Sequence, residues 1–186
     1  NWNCVNSVSD TVGISLSDAN ATAPANAALA SGTQTFSVTF KTAGSATVTA
    51  TDITDGSKTA NTSPAITVNA GALAKLQLLV PGETAAPGTA SGKTGTPTAQ
   101  TAGTASNVTV KAVDANWNVV STNDTVAISS SDANAALPAN TALASGTAHI
   151  RSSGQPKWAA TSCLVNSETV TSSAARRSEI SISSQR

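Results

Sequence analysis

His149 is the only histidine of this chain, and it lies in the run His149-Ile150-Arg151-Ser152-Ser153-Gly154. A nucleophile relay built there would use His149 as base and Ser152 or Ser153 as nucleophile, with Asp132 or Asp124 orienting the imidazole. That is the pattern of a small serine-type hydrolase. No G-x-S-x-G elbow accompanies it, and a chain this rich in serine offers such trios by chance. Paired-carboxylate chemistry has less support, because Glu83, Glu168 and Glu179 stand far apart and no acids cluster.

Oxygen ligands are more plentiful. Asp114, Asn116 and Asn118 alternate, as do Asp18 with Asn20 and Asp132 with Asn134, while Asp52 and Asp55 bracket a turn. Such spacing suits calcium, and a calcium-rigidified spacer is one reading of it. The same residue types also cap their own backbone in turns, which needs no ion and is the simpler expectation. Zinc lacks a ligand set here, with one histidine and two cysteines in the chain. Those cysteines, Cys4 and Cys163, are a disulfide candidate in an extracellular setting. Trp2 and Trp117 each sit between asparagines, where an exposed indole stacks on a sugar and a covered one closes the end of a core. The covered reading is preferred, with glycans as the candidate ligand of the other. The N-x-[ST] sequons at Asn20, Asn61, Asn107 and Asn123 carry little weight in a Ser/Thr-rich chain.

These residues are set out twice. Residues 10–33 return as residues 124–147, with 19 of 24 positions identical, and Asn1-Trp2-Asn3 returns as Asn116-Trp117-Asn118. Cys4 therefore stands where the second copy has Val119, which marks it as a substitution at an apolar site. A repeat of roughly a hundred residues is long enough for each unit to close its own core, so the pattern is that of an array of β-domains. Neither end of the chain then falls on a domain boundary. After Thr147 the copies part: all four arginines and His149 lie beyond that point. So sharp a change reads as a foreign or out-of-frame ending, or as an atypical terminal cap.

Composition sets the limits. Of 186 residues 39% are apolar, mostly Ala and Val, and only 3% are aromatic, so the core must be built from small side chains. Formal net charge is zero and charged residues make up 11%, which gives no electrostatic basis for nucleic acid or an anionic membrane as partner. No apolar run approaches the roughly 18 residues needed to insert across a bilayer, and no leader is visible.

Period-two alternation dominates. Residues 35–41 place Phe36, Val38 and Phe40 on one face, and 46–51, 65–69, 75–80, 107–113 and 125–129 alternate likewise, so six half-buried strands are predicted. Residues 82–103 are nearly all Gly, Pro, Ala, Ser and Thr, without period, and read as a mobile loop or linker. Residues 23–29 have room for one helical turn at most, and 178–184 alternate like a strand. Ser/Arg-rich sequence between 151 and 177 reads as disordered.

The phrases Val-Asp-Ala-Asn-Trp-Asn-Val-Val at 113–120, Thr-Val-Ala-Ile-Ser at 125–129, Gly-Thr-Gln-Thr-Phe-Ser-Val-Thr-Phe at 32–40 and Ala-Gly-Ser-Ala-Thr-Val-Thr-Ala-Thr at 43–51 resemble bacterial immunoglobulin-like repeats of invasin and intimin type. The resemblance covers residues 1 to about 150. It implies an all-β Greek-key sandwich, usually without catalysis or cofactor, that serves as a stalk or adhesive module on the bacterial surface or outside the cell. Neighbouring repeats, another copy of the chain, or host and surface glycans are the partners it implies.

On this reading residues 1–70 hold the later part of one repeat and 71–105 a linker with an opening strand. Residues 106–150 hold the early part of a second repeat, and 151–186 an irregular tail. The two parts together make one complete strand set. Strands 75–80 and 106–113 are therefore expected to close onto residues 1–69 as one permuted sandwich, or to do so between molecules by strand exchange. Two incomplete sheets are the remaining alternative.

Overall fold

The computed structural model describes residues 4–151 and 178–182 of the chain. These contain fourteen strands and no helix, so the fold is all β. They divide into two compact units, Asn1–Asn69 and Ala70–Arg186.

The first unit contains β1 (Thr11–Leu16), β2 (Ala27–Ala28), β3 (Gly44–Ala46), β4 (Val48–Asp52), β5 (Asn61–Thr62) and β6 (Ile66–Val68). Its main sheet has the order β2-β1-β4-β5, and β3 pairs with β6 in a separate ribbon. Valine, threonine and isoleucine in β1 and β4 suit a pleated surface, and the two strands pair antiparallel from Val12↔Asp52 to Leu16↔Val48. Segment 35–41 keeps its expected alternation, with Phe36, Val38 and Phe40 half-buried and Thr35, Ser37 and Thr39 exposed. Its one bridge is Thr39 to Thr22.

The second unit contains β7 (Lys75–Leu79), β8 (Glu83–Ala85), β9 (Lys93–Gly95), β10 (Asn107–Val113), β11 (Thr125–Ser130), β12 (Thr141–Ala142), β13 (Thr147–Arg151) and β14 (Ser178–Ile182). One sheet runs β13-β10-β7 and another β12-β11-β14, with β8 and β9 forming a hairpin. The core lies between the two sheets: Leu78, Val110, Ala112, Ala148 and Ile150 from the first meet Val126 and Leu143 from the second. Burying these faces is what holds the layers together.

The expected closure of strands 75–80 and 106–113 onto residues 1–69 is not the pairing adopted. Instead β7 and β10 pair with each other from Val113↔Lys75 to Thr109↔Leu79, and β10 takes β13 on its other side. The physical reason is that β13, which returns to β10 by way of β11 and β12, delivers Ala148 and Ile150 to the core. The sequence break after Thr147 therefore falls inside the fold, since 147–151 completes this sheet. Residues 82–103 also differ from the expected linker, because they carry the β8–β9 hairpin.

The twin segments fold alike. Ser31 and Gly32 have φ of 50° and 76°, and Ser145 and Gly146 have 49° and 80°, so each copy makes the same left-handed two-residue turn. A side chain on Gly32 would strike the Val5 carbonyl oxygen, and one on Gly146 the Val120 carbonyl oxygen. Leu29 N bonds Asp10 O at 2.9 Å as Leu143 N bonds Asp124 O at 2.9 Å. Cys4 over Gly32 and Val119 over Gly146 also correspond, which agrees with their alignment.

Candidate functional site

The turn after β10 gathers more of the candidate residues than any other place. Asp114 is 3% exposed. It accepts hydrogen bonds from Gly71 N at 2.8 Å, Asn116 N at 2.8 Å, Asn118 N at 2.9 Å and Asn118 Nδ2 at 3.0 Å. Burial pushes its carboxyl up, but the bonds from Asn118, Gly71 and Asn116 outweigh it and hold the group below the ordinary range. Every donor that a calcium ion would replace is thus an N–H of the protein. Asn116 and Asn118, predicted as fellow ligands, present donors to Asp114.

Trp117, at φ 68°, is drawn in by the same turn. Its Nε1 donates to Ala90 O at 3.2 Å, and the Lys75 ammonium stands 3.5 Å from the ring centroid. Lys75 also donates to Ala115 O at 3.0 Å, and its burial there pushes its pKa down, with Asp114 opposing. A Cβ on Gly92 would run into the indole, so that glycine (φ +72°) lets the loop backbone lie against the ring. With Lys75 and Gly92 both against it, the Trp117 ring is occupied in the way a covered tryptophan is. Below, Gln77 is 2% exposed and donates from Nε2 to Gly92 O at 2.7 Å, while its Oε1 has no hydrogen-bond partner among the described residues.

Lys75, Gln77 and Gly92 were not singled out by sequence. The hairpin that positions Gly92 did leave a signal: Glu83 and Lys93 are the only charges between 82 and 103, and they pair at 2.7 Å with Glu83 6% exposed.

In the first unit the acids serve turns. Asp18 accepts from Lys41 N at 2.8 Å, Thr42 N at 2.9 Å, Thr42 Oγ1 at 2.8 Å and Asn20 N at 3.0 Å. Desolvation opposes these bonds, yet they lower its pKa to about 2. The folded value lies below that of an unfolded aspartate, so this group stabilises the fold above about pH 4. The contribution fades as pH falls toward 2. Replacing Asp18 with asparagine is expected to flatten the acid limb of the unfolding curve, followed by circular dichroism between pH 5 and 2. An unchanged limb would show that these bonds do not hold the turn.

Asp52 accepts from Thr54 N and Asp55 N, each at 2.9 Å, and Asp55 takes Ser57 N at 3.0 Å and the Lys58 ammonium at 2.6 Å. The Lys58 bond heads the causes that hold Asp55 well below the usual carboxylate range. Burial and then the nearby Asp52 push Asp10 up. No three His, Cys, Asp or Glu side chains come together as a metal group among the described residues.

Of the hydrolase candidates, His149, Asp132 and Asp124 lie among the described residues. His149 is exposed on β13, with Nδ1 3.0 Å from Thr109 Oγ1 across the ladder. Asp132 closes its own turn through Asn134 N at 2.9 Å, and Asp124 N is bonded to Thr122 Oγ1 at 3.3 Å. Ser152, Ser153, Trp2 and Cys163 lie outside the described residues, and with them the proposed relay, one indole, the disulfide and most of the tail. Cys4 is exposed, its thiol donating to Gly32 O at 3.7 Å and Ser31 O at 3.8 Å.

No protein-family model, curated protein or solved structure matches the chain.

Proposed function

We propose that the chain is a non-catalytic structural or adhesive immunoglobulin-like module of a bacterial extracellular or surface protein, one of a tandem series. The observation that carries this reading is what results when the two units are aligned through their twin segments. Segment 33–37 is the counterpart of β13, and β1 and β2 are the counterparts of β11 and β12.

Putting segment 33–40 in the place that β13 holds beside β10 would give one composite repeat with a sheet of order β7, β10, segment 33–40, Thr22, and a second sheet of order β2, β1, β4, β5. That is the division of an immunoglobulin-type sandwich into an A-B-E-D sheet and a C′-C-F-G sheet. The site geometry agrees with a load-bearing role, since Asp114, Asp18, Asp52, Asp55 and Trp117 are spent on fixing turns between strands.

Single-molecule stretching of the chain between handles tests it. The expected trace shows cooperative rupture of at least one unit, releasing about 3.3–3.6 Å per residue freed. Featureless extension would overturn the structural role. Ester or amide turnover by the intact chain that is abolished by His149→Ala would establish the hydrolase instead.

A further inference from the structure

We propose that residues 34–38 of the first unit form a docking edge for a strand of β10 type, and that its occupant is β10 of a second copy of this chain. The inference rests on the composite-repeat reading above and names the partner that reading requires.

In the second unit, β13 follows the Ser145-Gly146 turn and enters a ladder with β10 through Lys111↔Thr147, Val110↔Ala148, Thr109↔His149, Val108↔Ile150 and Asn107↔Arg151. Ala112 N donates to Gly146 O at 2.8 Å, which fixes the even-numbered residues of β13 as those whose backbone groups face β10. In the first unit the twin segment leaves the twin Ser31-Gly32 turn in the same way. Thr39 exchanges bonds with Thr22, its N donating to Thr22 O at 3.2 Å and its O accepting from Thr22 N at 2.8 Å. Odd-numbered residues thus face Thr22, and the N–H and C=O groups of Gln34, Phe36 and Val38 face the other way. No ladder engages that side among the described residues. It is the side on which Ala148 and Ile150 meet β10 in the second unit.

The apolar face tells the same story. Among the described residues ten apolar side chains are buried, and of these Ala46 alone belongs to the first unit. Both phenylalanines of the chain, Phe36 and Phe40, remain half-buried there. A sheet bearing β10 would cover them. Its register follows from the repeat: Ala112 opposite Gly32, Val110 opposite Gln34 and Val108 opposite Phe36. This acceptor runs on past Phe36 to Val38 and Phe40. Residues 34–40 carry no charge, so nothing repels the incoming strand. A molecule whose β10 leaves its own β13 therefore finds in its neighbour an edge with the same turn, register and spacing, by exchange of like for like.

Sedimentation equilibrium of the full chain across a hundredfold concentration range tests this, with a synthetic peptide of residues 104–114 as competitor. The expected result is a concentration-dependent dimer or higher species that an excess of the peptide dissociates. Gln34→Pro removes one edge N–H from an exposed position and is expected to weaken association at least tenfold, while Gln34→Ala, which keeps the N–H, leaves it unchanged. A monomer at every concentration that also ignores the peptide would overturn the proposal, and so would association indifferent to Gln34→Pro. Cooperative rupture under force together with a strictly monomeric chain would sink this docking edge alone, whereas featureless stretching would sink the module itself.

Discussion

Asp114→Ala is expected to lower the stability of the second unit by about 3–5 kcal/mol, in the range for a buried charge network broken from one side. The loss arises from four donors, not from the aspartate alone. Three backbone N–H groups and the Asn118 amide would be left without their acceptor, each costing about 1–3 kcal/mol where water does not reach it. Asp114→Asn is expected to cost less, because one oxygen remains, yet its new amide points a donor at donors. Urea unfolding of each variant measures the effect. A midpoint change worth less than about 1 kcal/mol would mean that the turn reforms around water. The charge also has a pH signature. The folded carboxyl titrates below the ordinary range, so its stabilisation is present above the unfolded value and is lost as pH falls through the folded one. Both variants should therefore lose less stability than the parent on acidification.

Leu143→Ala is the second substitution expected to act strongly, with a loss of about 2–5 kcal/mol. Leu143 is among the deepest side chains of a core otherwise made of valine, alanine, isoleucine and one further leucine. Small residues cannot swing into a vacated volume as longer ones do, which places the expected cost toward the upper part of that range. Its twin Leu29 is half-buried, and Leu29→Ala is expected to cost less than half as much. Thermal unfolding of the two variants side by side checks the contrast. Equal losses would show that the first unit has a core as closed as that of the second.

Much of this architecture was legible because alternation is a local property. Val108, Val110 and Ala112 declare an inward face without reference to any other strand, and β4, β6, β7, β10 and β11 lie where period two put them, whereas 35–41 alternates but makes a single bridge and β1 was not among the predicted strands. Pairing was less accessible. Whether β10 joins β13 or segment 33–40 depends on two acceptors with the same turn before them, and the alternation in β10 suits both. The β8–β9 hairpin was hidden because its strands are three residues each and four of those six residues are glycine, alanine or threonine. At the site, Asp114 and Trp117 were visible as residue types. Turn capping and a covered ring were the simpler expectations for them, but their partners Gly71, Lys75 and Gly92 were not legible, because they are remote in sequence.

The edge of β11 has a consequence of its own. On β1, residues 12–16 are covered by β4 running antiparallel; on β11, the matching residues 126–130 are covered by β14 running parallel. Two unrelated stretches, pointing in opposite directions, are accepted at one and the same seam. A seam of that kind audits spacing rather than spelling. A strand that arrives there can therefore run in either direction and still complete the sheet.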